Sequence, residues 1–207
     1  MKVEIIRSKR KTLSLQITAK GELIARAPLR MKDETINRFI QQKRSWIEKA
    51  LLKTKEKEAL KNTFDFENNI YILGNSQPVE YCDIGYSSIK KGEGILVYDK
   101  IYKDLAKRLL PKMAEEVSQA ITLGYKALKI TTSKRYWGCY SKDGTMRLNY
   151  KLVVLPENVI KYVIIHELCH SKELNHSARF WALVSYFCPE FKKYKKELEM
   201  YSFLLSE

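Results

Sequence analysis

The chain has 207 residues, 45% of them hydrophobic and 30% charged, and its formal net charge is +14 at pH 7. Such values are typical of one globular domain with a buried core, and they exclude wholesale disorder. The excess of positive charge favours binding to nucleic acid, nucleotides or acidic surfaces. A basic face that is only solvated would show the same excess. Residues 1–60 hold 16 Lys and Arg against 7 Asp and Glu. No pattern of a nucleic-acid-binding fold accompanies them, so charge alone names no partner.

Nothing in the sequence predicts export or a membrane span. The first residues, "MKVEIIRSKRKTLSLQ", lack the apolar stretch of a signal peptide. Apolar runs such as "YVII" are far shorter than the ~20 residues that cross a bilayer. We therefore expect a cytoplasmic protein. Its four cysteines, Cys82, Cys139, Cys169 and Cys188, show no CxxC spacing, which predicts reduced and mostly buried thiols.

The N-terminal residues show the alternation of β-strands, followed by the spacing of a helix. In "KTLSLQIT", apolar Leu13, Leu15 and Ile17 alternate with polar residues, and "LIARAP" returns as a second strand after a short turn. "MKVEII" would pair beside them as a third strand. From Asp33, a favoured N-cap, apolar residues recur every three or four positions and predict one long helix over about 33–60.

The middle of the chain changes from short strands to a helix. Residues 62–100 are rich in β-forming residues and are broken by glycines and a proline, which predicts three or four short strands. The next segment has apolar residues at four-residue spacing, a helical stripe that we assign to the core: Leu105, Leu109, Met113, Val117 and Ile121. Pro111 lies within this stripe and predicts either a kink or two helices end to end.

The last third of the chain is predicted to be mainly helical. A hairpin turned at "KDG" and an extended segment come first, and Pro156 then opens a helix with "ENVIKYVIIHELCH". After a break at "SKELN", two further helical stretches follow, "SARFWALVSYF" and "EFKKYKKELEMYSFLL". No linker is long enough to separate domains, so we expect a single domain over residues 1–207.

All three histidines of the chain fall within "HELCHSKELNH". On a helix, His166 and His170 are one turn apart on the same face, so both imidazoles can reach one ion. Glu167 lies at the edge of that face, where it can take a proton from metal-activated water without being a ligand. Chance would give this arrangement in well under ~1% of chains of this length. The sequence therefore predicts a metal site.

A catalytic zinc site needs a third protein ligand and an open fourth position. His176 follows a predicted turn at "ELN" and is our third ligand, with Glu190 or Glu197 as the alternatives. Cys169 shares the turn with the first two histidines but is rotated ~100° from the second, so we expect it in the core. Three histidines, an open position and a nearby base predict Zn²⁺ and hydrolysis by metal-activated water, with Glu167 as the general base.

Nearly the whole chain resembles the YgjP-like metallopeptidase family, whose members are similar to the SprT-like and WLM zinc peptidases and to the minigluzincins. The metal motif lies in the most similar segment, "WGCYSKDGTMRLNYKLVVLPENVIKYVIIHELCHSKELNHSARFW". The segments "RSKRKTLSLQIT", "GELIARAPLRMKDETINRFIQQKRSWI" and "CPEFKKYKKEL" also follow the family pattern.

The resemblance implies a compact α+β fold with long helices, a mainly β N-terminal portion over residues 1–98 and a zincin-like catalytic portion over residues 99–207. A short sheet would lie beside the active-site helix with the H-E-x-x-H motif. The strand in "GTMRLNYKLV" would border the cleft and pair with an extended peptide substrate. The family's catalytic acid carries over onto Glu167. Its metal ligands carry over onto His166, His170 and His176.

Two departures from the family pattern concern cysteines. The family often has W-G-S-C where this chain has "WGCY", which displaces the cysteine by one position, to Cys139. Because neighbouring residues of a strand point to opposite faces, a role of the family's cysteine does not carry over directly. Cys169 replaces the small residue that is usual between the two helical ligands. Neither change touches a metal ligand.

The sequence favours a zinc-dependent metallopeptidase that acts on proteins or peptides. It does not single out the group that stabilises the oxyanion, for which Arg135, Arg147 and thirteen tyrosines are candidates. Asn149 and Asn175 are potential supports of the site, although a strand-edge or helix-cap role explains them better.

Three other functions remain alternatives. One is a metal-dependent hydrolase of phosphoanhydrides, such as a nucleotide pyrophosphatase, although no Gly-rich phosphate loop is present. Another is a nucleic-acid-binding module with a vestigial zinc site, which the intact Glu167 opposes. The third is a peptidase recruited to DNA or RNA by its basic N-terminal portion, which rests on charge alone.

Overall fold

The structure is a computed structural model that describes residues 3–78 and 99–206. The chain divides into two compact units, Met1–Thr63 and Phe64–Glu207. Each unit combines helices with small sheets, so the α+β fold class predicted from the sequence is confirmed. In the described residues, no helix is both long and apolar enough to cross a membrane.

The first unit contains a three-stranded sheet and two helices. Their bounds are β1 Val3–Ser8, β2 Ser14–Ile17, β3 Leu23–Pro28, α1 Asp33–Gln42 and α2 Arg44–Asn62. Strand β3 is central, parallel to β1 and antiparallel to β2, which confirms all three predicted strands. Alternate residues of β3 are buried, and Ala25 and Ala27 pack with Ile36 of α1.

The helix predicted over 33–60 is divided into α1 and α2, and this corrects the prediction of one continuous helix. The backbone of Lys43, with φ −97° and ψ 11°, lies outside the α-helical range and ends α1. Lys43 provides no side-chain cap, and no Gly or Pro stands at the junction. Each helix buries one residue, Ile36 in α1 and Ile47 in α2. We infer that tertiary packing, which leaves no local signal in the sequence, sets the break.

The second unit contains the remaining elements. Their bounds are β4 Asn69–Ile72, β5 Asn75–Pro78, α3 Asp99–Ile121, β6 Ala127–Thr131, β7 Gly138–Tyr140, β8 Thr145–Asn149, a 3-10 helix Tyr150–Val154, α4 Glu157–Cys169, α5 Ala178–Phe187, α6 Phe191–Met200 and α7 Phe203–Ser206. Strands β4 and β5 form an antiparallel pair, and the second sheet has the order β6-β8-β7. Residues 79–98, where further strands were predicted, lie outside the described residues.

The boundary between the two compact units follows Thr63 in the sequence. The predicted boundary between the N-terminal and catalytic portions was placed after residue 98. That the whole chain acts as a single domain therefore stays a prediction.

Helix α3 supplies much of the core of the second unit. It is one continuous helix with Pro111 inside it, so of the two predicted alternatives the structure excludes two separate helices. Of the predicted apolar stripe, Leu105, Met113 and Val117 are buried, whereas Leu109 and Ile121 are only partly buried. The core continues through the buried 3-10 helix into α4, where Ile160 and Ile164 are fully buried.

Strand β8 lies in the centre of its sheet, parallel to β6 and antiparallel to β7. The expectation that this strand pairs with an extended substrate is therefore wrong, because both of its edges are already hydrogen-bonded to neighbours. The segment after it is a 3-10 helix rather than extended. Asn149 caps that helix by accepting a hydrogen bond from the backbone N–H of Lys151 at 3.0 Å, which confirms the predicted cap role.

Candidate metal centre

Helix α4 holds the first half of the centre. The helix forms from a run of apolar residues that are buried almost throughout, and it begins directly after Pro156. His166 and Glu167 lie in its last turn, and His170 is its C-cap residue. With φ −65° and ψ −14°, His170 keeps the right-handed helical region, so the one-turn spacing between the two histidines is preserved.

The turn between α4 and α5 brings His176 back to the end of α4. Ser177 caps α5, its Oγ accepting a hydrogen bond from the backbone N–H of Phe180 at 3.3 Å. Nε2 of His176 lies 3.0 Å from Nε2 of His166. Ligand atoms of His166, His170 and His176 all lie within 4.8 Å of one another. The structure thus brings together the three histidines that the sequence predicted as ligands.

Phe180 of α5 forms a fully buried floor under the three imidazoles. Its ring stacks on His170 at a centroid distance of 4.4 Å and meets the edges of His176 at 4.7 Å and His166 at 4.9 Å. Trp181 stacks on the outer side of His176 at 5.6 Å. Packed aromatic neighbours restrict the rotation of the imidazoles and so fix the direction of their nitrogen atoms. Sequence reasoning assigned no role to Phe180, since its helical stretch shows only an ordinary apolar pattern.

The electrostatics of the centre keep two of its imidazoles neutral. Burial, with a smaller contribution from the nearby His170 and His176, lowers the pKa of His166 to about 3. Burial also lowers the pKa of His170. Nδ1 of His170 lies 2.9 Å from the carbonyl oxygen of Glu173, so Nδ1 carries the proton and Nε2 keeps its lone pair. Neutral imidazoles with a free lone pair are the form that binds a metal ion.

These three histidines fit a metal ion. Two imidazole nitrogens only 3.0 Å apart repel each other unless a proton or a cation lies between them. Tetrahedral Zn²⁺ with bonds of ~2.0–2.1 Å would place such nitrogens roughly 3.3 Å apart, close to the distance in the structure. The hydrogen bond from His170 to a backbone carbonyl is the kind of support that orients a metal-binding histidine. Nδ1 of His166 is buried and has no hydrogen-bond partner among the described residues.

Glu167 lies beside the histidines but points into the protein, with only 5% of its surface exposed. Burial raises the pKa of its carboxyl to about 8, and a hydrogen bond from the backbone N–H of Tyr140 opposes that shift. A cation held by the histidines would lower this pKa again. The carboxyl is therefore a buried proton acceptor whose protonation responds to the charge of the centre.

Strand β7 presses against Glu167, and this contact was missed by sequence reasoning. A side chain at Gly138 would collide with the glutamate, because an ideal Cβ there lies 2.5 Å from its Oε1 and 2.6 Å from its Cγ. The residues on either side of Gly138 and Tyr140 make the hydrogen bonds to β8. For example, the N–H of Asn149 donates to the carbonyl of Trp137 at 2.8 Å. The backbone polar groups of Gly138 and Tyr140 therefore point to the outer edge of the sheet. There the N–H of Tyr140 meets the carboxylate.

The other sequence candidates lie elsewhere. Among the described residues, the metal-binding group contains the three histidines only, without Glu190, Glu197 or Cys169. The carboxylate of Glu190 accepts a hydrogen bond from the Tyr194 hydroxyl at 2.9 Å instead. Cys169 is fully buried, as expected.

The sheet face opposite Gly138 carries the displaced cysteine and one arginine candidate. Cys139 pairs in register with Arg147, and the alternation of a strand turns both away from the face that contacts Glu167. The Arg147 guanidinium donates to the Ser141 hydroxyl. Neither residue is therefore placed to stabilise an oxyanion beside Glu167.

Three convergent histidines, together with a glutamate that is not one of the ligands, are typical of metal-dependent hydrolases. A family model described as "YgjP-like, metallopeptidase domain" matches residues 11–201 of the chain. The chain belongs to this family, so the protein is a metallopeptidase. The resemblance seen in the sequence is thereby confirmed.

Two solved structures are similar to part of the chain. One is the metallopeptidase zymogen abylysin of Pyrococcus abyssi, with 25% identity, 44% of this chain and 91% of that chain covered, and a TM-score of 0.40. The other is the metallopeptidase zymogen jannalysin of Methanocaldococcus jannaschii, with 24% identity, 45% and 95% coverage, and a TM-score of 0.39. A comparison with curated proteins found no match.

Proposed function

We propose that this metallopeptidase uses zinc held by His166, His170 and His176, and that Glu167 is its general base. The observation that carries the proposal is the convergence of three imidazoles within 4.8 Å beside a buried carboxyl that is not one of them. Neutral imidazole is a preferred ligand of Zn²⁺, and three protein ligands leave a fourth position open. Zinc bound there would lower the pKa of a water and polarise the carbonyl of the peptide bond.

Glu167 supplies the proton transfers of the hydrolysis. Its carboxylate accepts a proton from the attacking water, and the resulting carboxyl donates that proton to the nitrogen of the leaving amine. The atoms balance, because the hydroxyl remains on the new carboxyl group and the proton leaves with the amine. The N–H of Tyr140 and the close backbone of Gly138 hold the carboxylate in one position for both transfers.

Metal analysis and turnover of a Glu167→Gln variant test the proposal. The amide keeps the shape of the side chain but cannot accept a proton, so we expect about one zinc per chain and a loss of about 10²- to 10⁴-fold in kcat. Glu157→Gln is the matched control, since Glu157 lies on the same helix and pairs with Lys161 at the surface. It should keep both zinc and turnover. Full activity of Glu167→Gln would remove Glu167 from its assigned role.

Hydrolysis of a phosphoanhydride is a second candidate because of one observation. A cavity that reaches His170 is lined by Lys126, Lys142 and Lys172, which would suit the negative charge of a polyphosphate. A panel of nucleoside triphosphates, assayed beside an unfolded protein substrate, separates the two functions. Release of phosphate or pyrophosphate without proteolysis would favour this second candidate.

A further inference from the structure

A basic cavity opens next to the metal centre in the second unit. It has a volume of about 500 Å³, within the range of sites that hold small ligands or single side chains. His170 is part of its lining, and so are Lys126, Lys142 and Lys172. No acidic residue contributes to the lining. A charged cavity that shares a wall with the centre is placed to contact whatever is hydrolysed there.

The three lysines come from three separate segments of the chain, and the structure fixes the backbone of each. Lys126 precedes β6, and its N–H donates to the carbonyl of Gly144 at 2.8 Å. Lys142 lies in the turn between β7 and β8, the same turn that contains Gly144. Lys172 follows α4, and its N–H donates to the carbonyl of Cys169 at 3.1 Å. The convergence is therefore a product of the fold rather than of a run of lysines in the sequence.

The stem of one lysine is also held in place. An ideal Cβ at Gly144 would lie 2.9 Å from Cγ of Lys126, so the lysine stem covers this glycine. Gly144 has φ +84°, a backbone conformation that favours glycine. The turn thus leaves room for the Lys126 stem.

None of these three lysines forms an ion pair within the part of the chain that the structure describes. Glu173 lies between Lys172 and Leu174 in sequence but is not part of the lining, and two other acidic residues close to the cavity have partners of their own. Glu115 accepts hydrogen bonds from Gln119 at 2.7 Å and from the Tyr125 hydroxyl at 3.4 Å. Asp143 accepts from the N–H of Thr145 at 3.0 Å and from its hydroxyl at 3.1 Å. The positive charge of the cavity is therefore left for a ligand.

A further polar group in the lining is also uncommitted. The hydroxyl oxygen of Ser171 is shielded from solvent and has no hydrogen-bond partner among the described residues.

We propose that this cavity binds an acidic side chain of the substrate, Asp or Glu, close to the peptide bond that is cleaved. The inference rests on the proposed peptidase function and adds a substrate class to it. Lysine ammonium groups recognise a carboxylate as point charges, and a positive concave surface raises the local concentration of acidic peptides. A peptide carboxylate is favoured over a polyphosphate because the family is one of peptidases and because no Gly-rich phosphate loop stands at the cavity.

The test uses two fluorescein-labelled decapeptide mixtures, randomised except for one fixed position that is Glu in one mixture and Gln in the other. Cleavage is measured with the zinc-loaded wild type, and binding by fluorescence anisotropy with the zinc-loaded Glu167→Gln variant. Each exposed lysine would contribute a factor of about 1.4 to 5 through its ion pair. We therefore expect about tenfold higher kcat/KM and tighter binding for the Glu mixture, with the preference decreasing as salt is added.

Lysine variants locate the effect. The triple variant Lys126→Gln, Lys142→Gln, Lys172→Gln should lose the preference for Glu while it keeps its zinc. The control triple variant removes the same amount of charge from exposed lysines outside the lining, through Lys49→Gln, Lys112→Gln and Lys129→Gln. It should keep the preference.

The outcomes separate the two proposals. Equal cleavage of the Glu and Gln mixtures by the wild type, together with equal binding of both mixtures by Glu167→Gln, would overturn the binding of acidic side chains in this basic cavity and leave the peptidase function intact. If no peptide is cleaved, the proposed mechanism fails, and lysine-dependent binding of the Glu mixture still supports the cavity. Tighter lysine-dependent binding of inorganic triphosphate than of the Glu mixture would overturn the acidic side chain as the ligand.

Discussion

Replacing Gly138 by Ala tests whether β7 holds Glu167, the proposed general base, in position. The new Cβ would lie 2.5 Å from Oε1, 2.6 Å from Cγ and 2.8 Å from Cδ of Glu167. Carbon contacts are relaxed at ~3.5–4.0 Å, so the carboxyl or the strand must move by about 1 Å. Only 5% of Glu167 is exposed, which leaves the side chain little space to move aside. A misplacement of this size costs about 10²-fold in rate, and overpacking costs about 1–3 kcal/mol of stability.

The assay compares kcat/KM for a labelled unfolded protein, the zinc content and the thermal midpoint. We expect Gly138→Ala to keep about one zinc per chain, because the three atoms nearest to the new Cβ all belong to Glu167, and to lose about 10²-fold in kcat/KM. Cys139→Ala is the matched control, since it changes the next residue of β7 on the opposite face. It should stay close to the wild type.

A double variant shows whether the loss acts through the glutamate. If Gly138→Ala works by displacing the base, it should lower turnover no further when Glu167→Gln is already present. Activity of Gly138→Ala within about twofold of the wild type would refute the reasoning. So would a further large loss in the double variant.

Two other predictions concern the histidines and the strand that leads into the 3-10 helix. His176→Gln should bind zinc more weakly, as measured by equilibrium dialysis. Zinc at 100 times its Kd stabilises a protein by about 2.7 kcal/mol. Removal of zinc by a chelator should therefore lower the thermal midpoint of the wild type but not that of this variant. Asn149→Ala should destabilise by about 2–4 kcal/mol in urea unfolding, because this 1%-exposed side chain accepts from Lys151 and donates to two backbone carbonyls. The exposed Asn175→Ala should stay within about 0.5 kcal/mol, and an equal loss at both positions would contradict the burial argument.

The histidine cluster could be predicted because its geometry is local. Two ligands one helical turn apart need only the regularity of a helix, and His176 needs only a turn after it. The cap role of Asn149 was one of its two predicted roles, because asparagine favours helix caps, although the 3-10 helix that it caps was not predicted. In each case, the signal lies within about ten residues of the feature.

The parts that could not be predicted depend on residues distant in sequence. Phe180 lies under the imidazoles because α5 packs on α4, and its place within an apolar helix gives no sign of this. Gly138 matters because a strand meets a helix almost thirty residues later, and the glycine has no unusual φ that a turn would demand. The central position of β8 was missed for a related reason, since a strand's place in a sheet follows from which partners pair with it.

Tyr140 connects the carboxyl of Glu167, the proposed general base, with the basic cavity. Its backbone N–H donates to Glu167, while its side chain lines the cavity and its hydroxyl donates to the carbonyl of Gly124 at 3.2 Å. Any residue except proline at position 140 could donate this backbone hydrogen bond to Glu167. Holding the carboxylate in place therefore does not require a tyrosine side chain. We therefore relate the tyrosine side chain to the cavity. Its hydroxyl bonds to Gly124, in the segment before Lys126, and so connects two parts of the cavity wall. A ligand that fills the cavity would therefore contact the same residue whose backbone N–H donates to the proposed base.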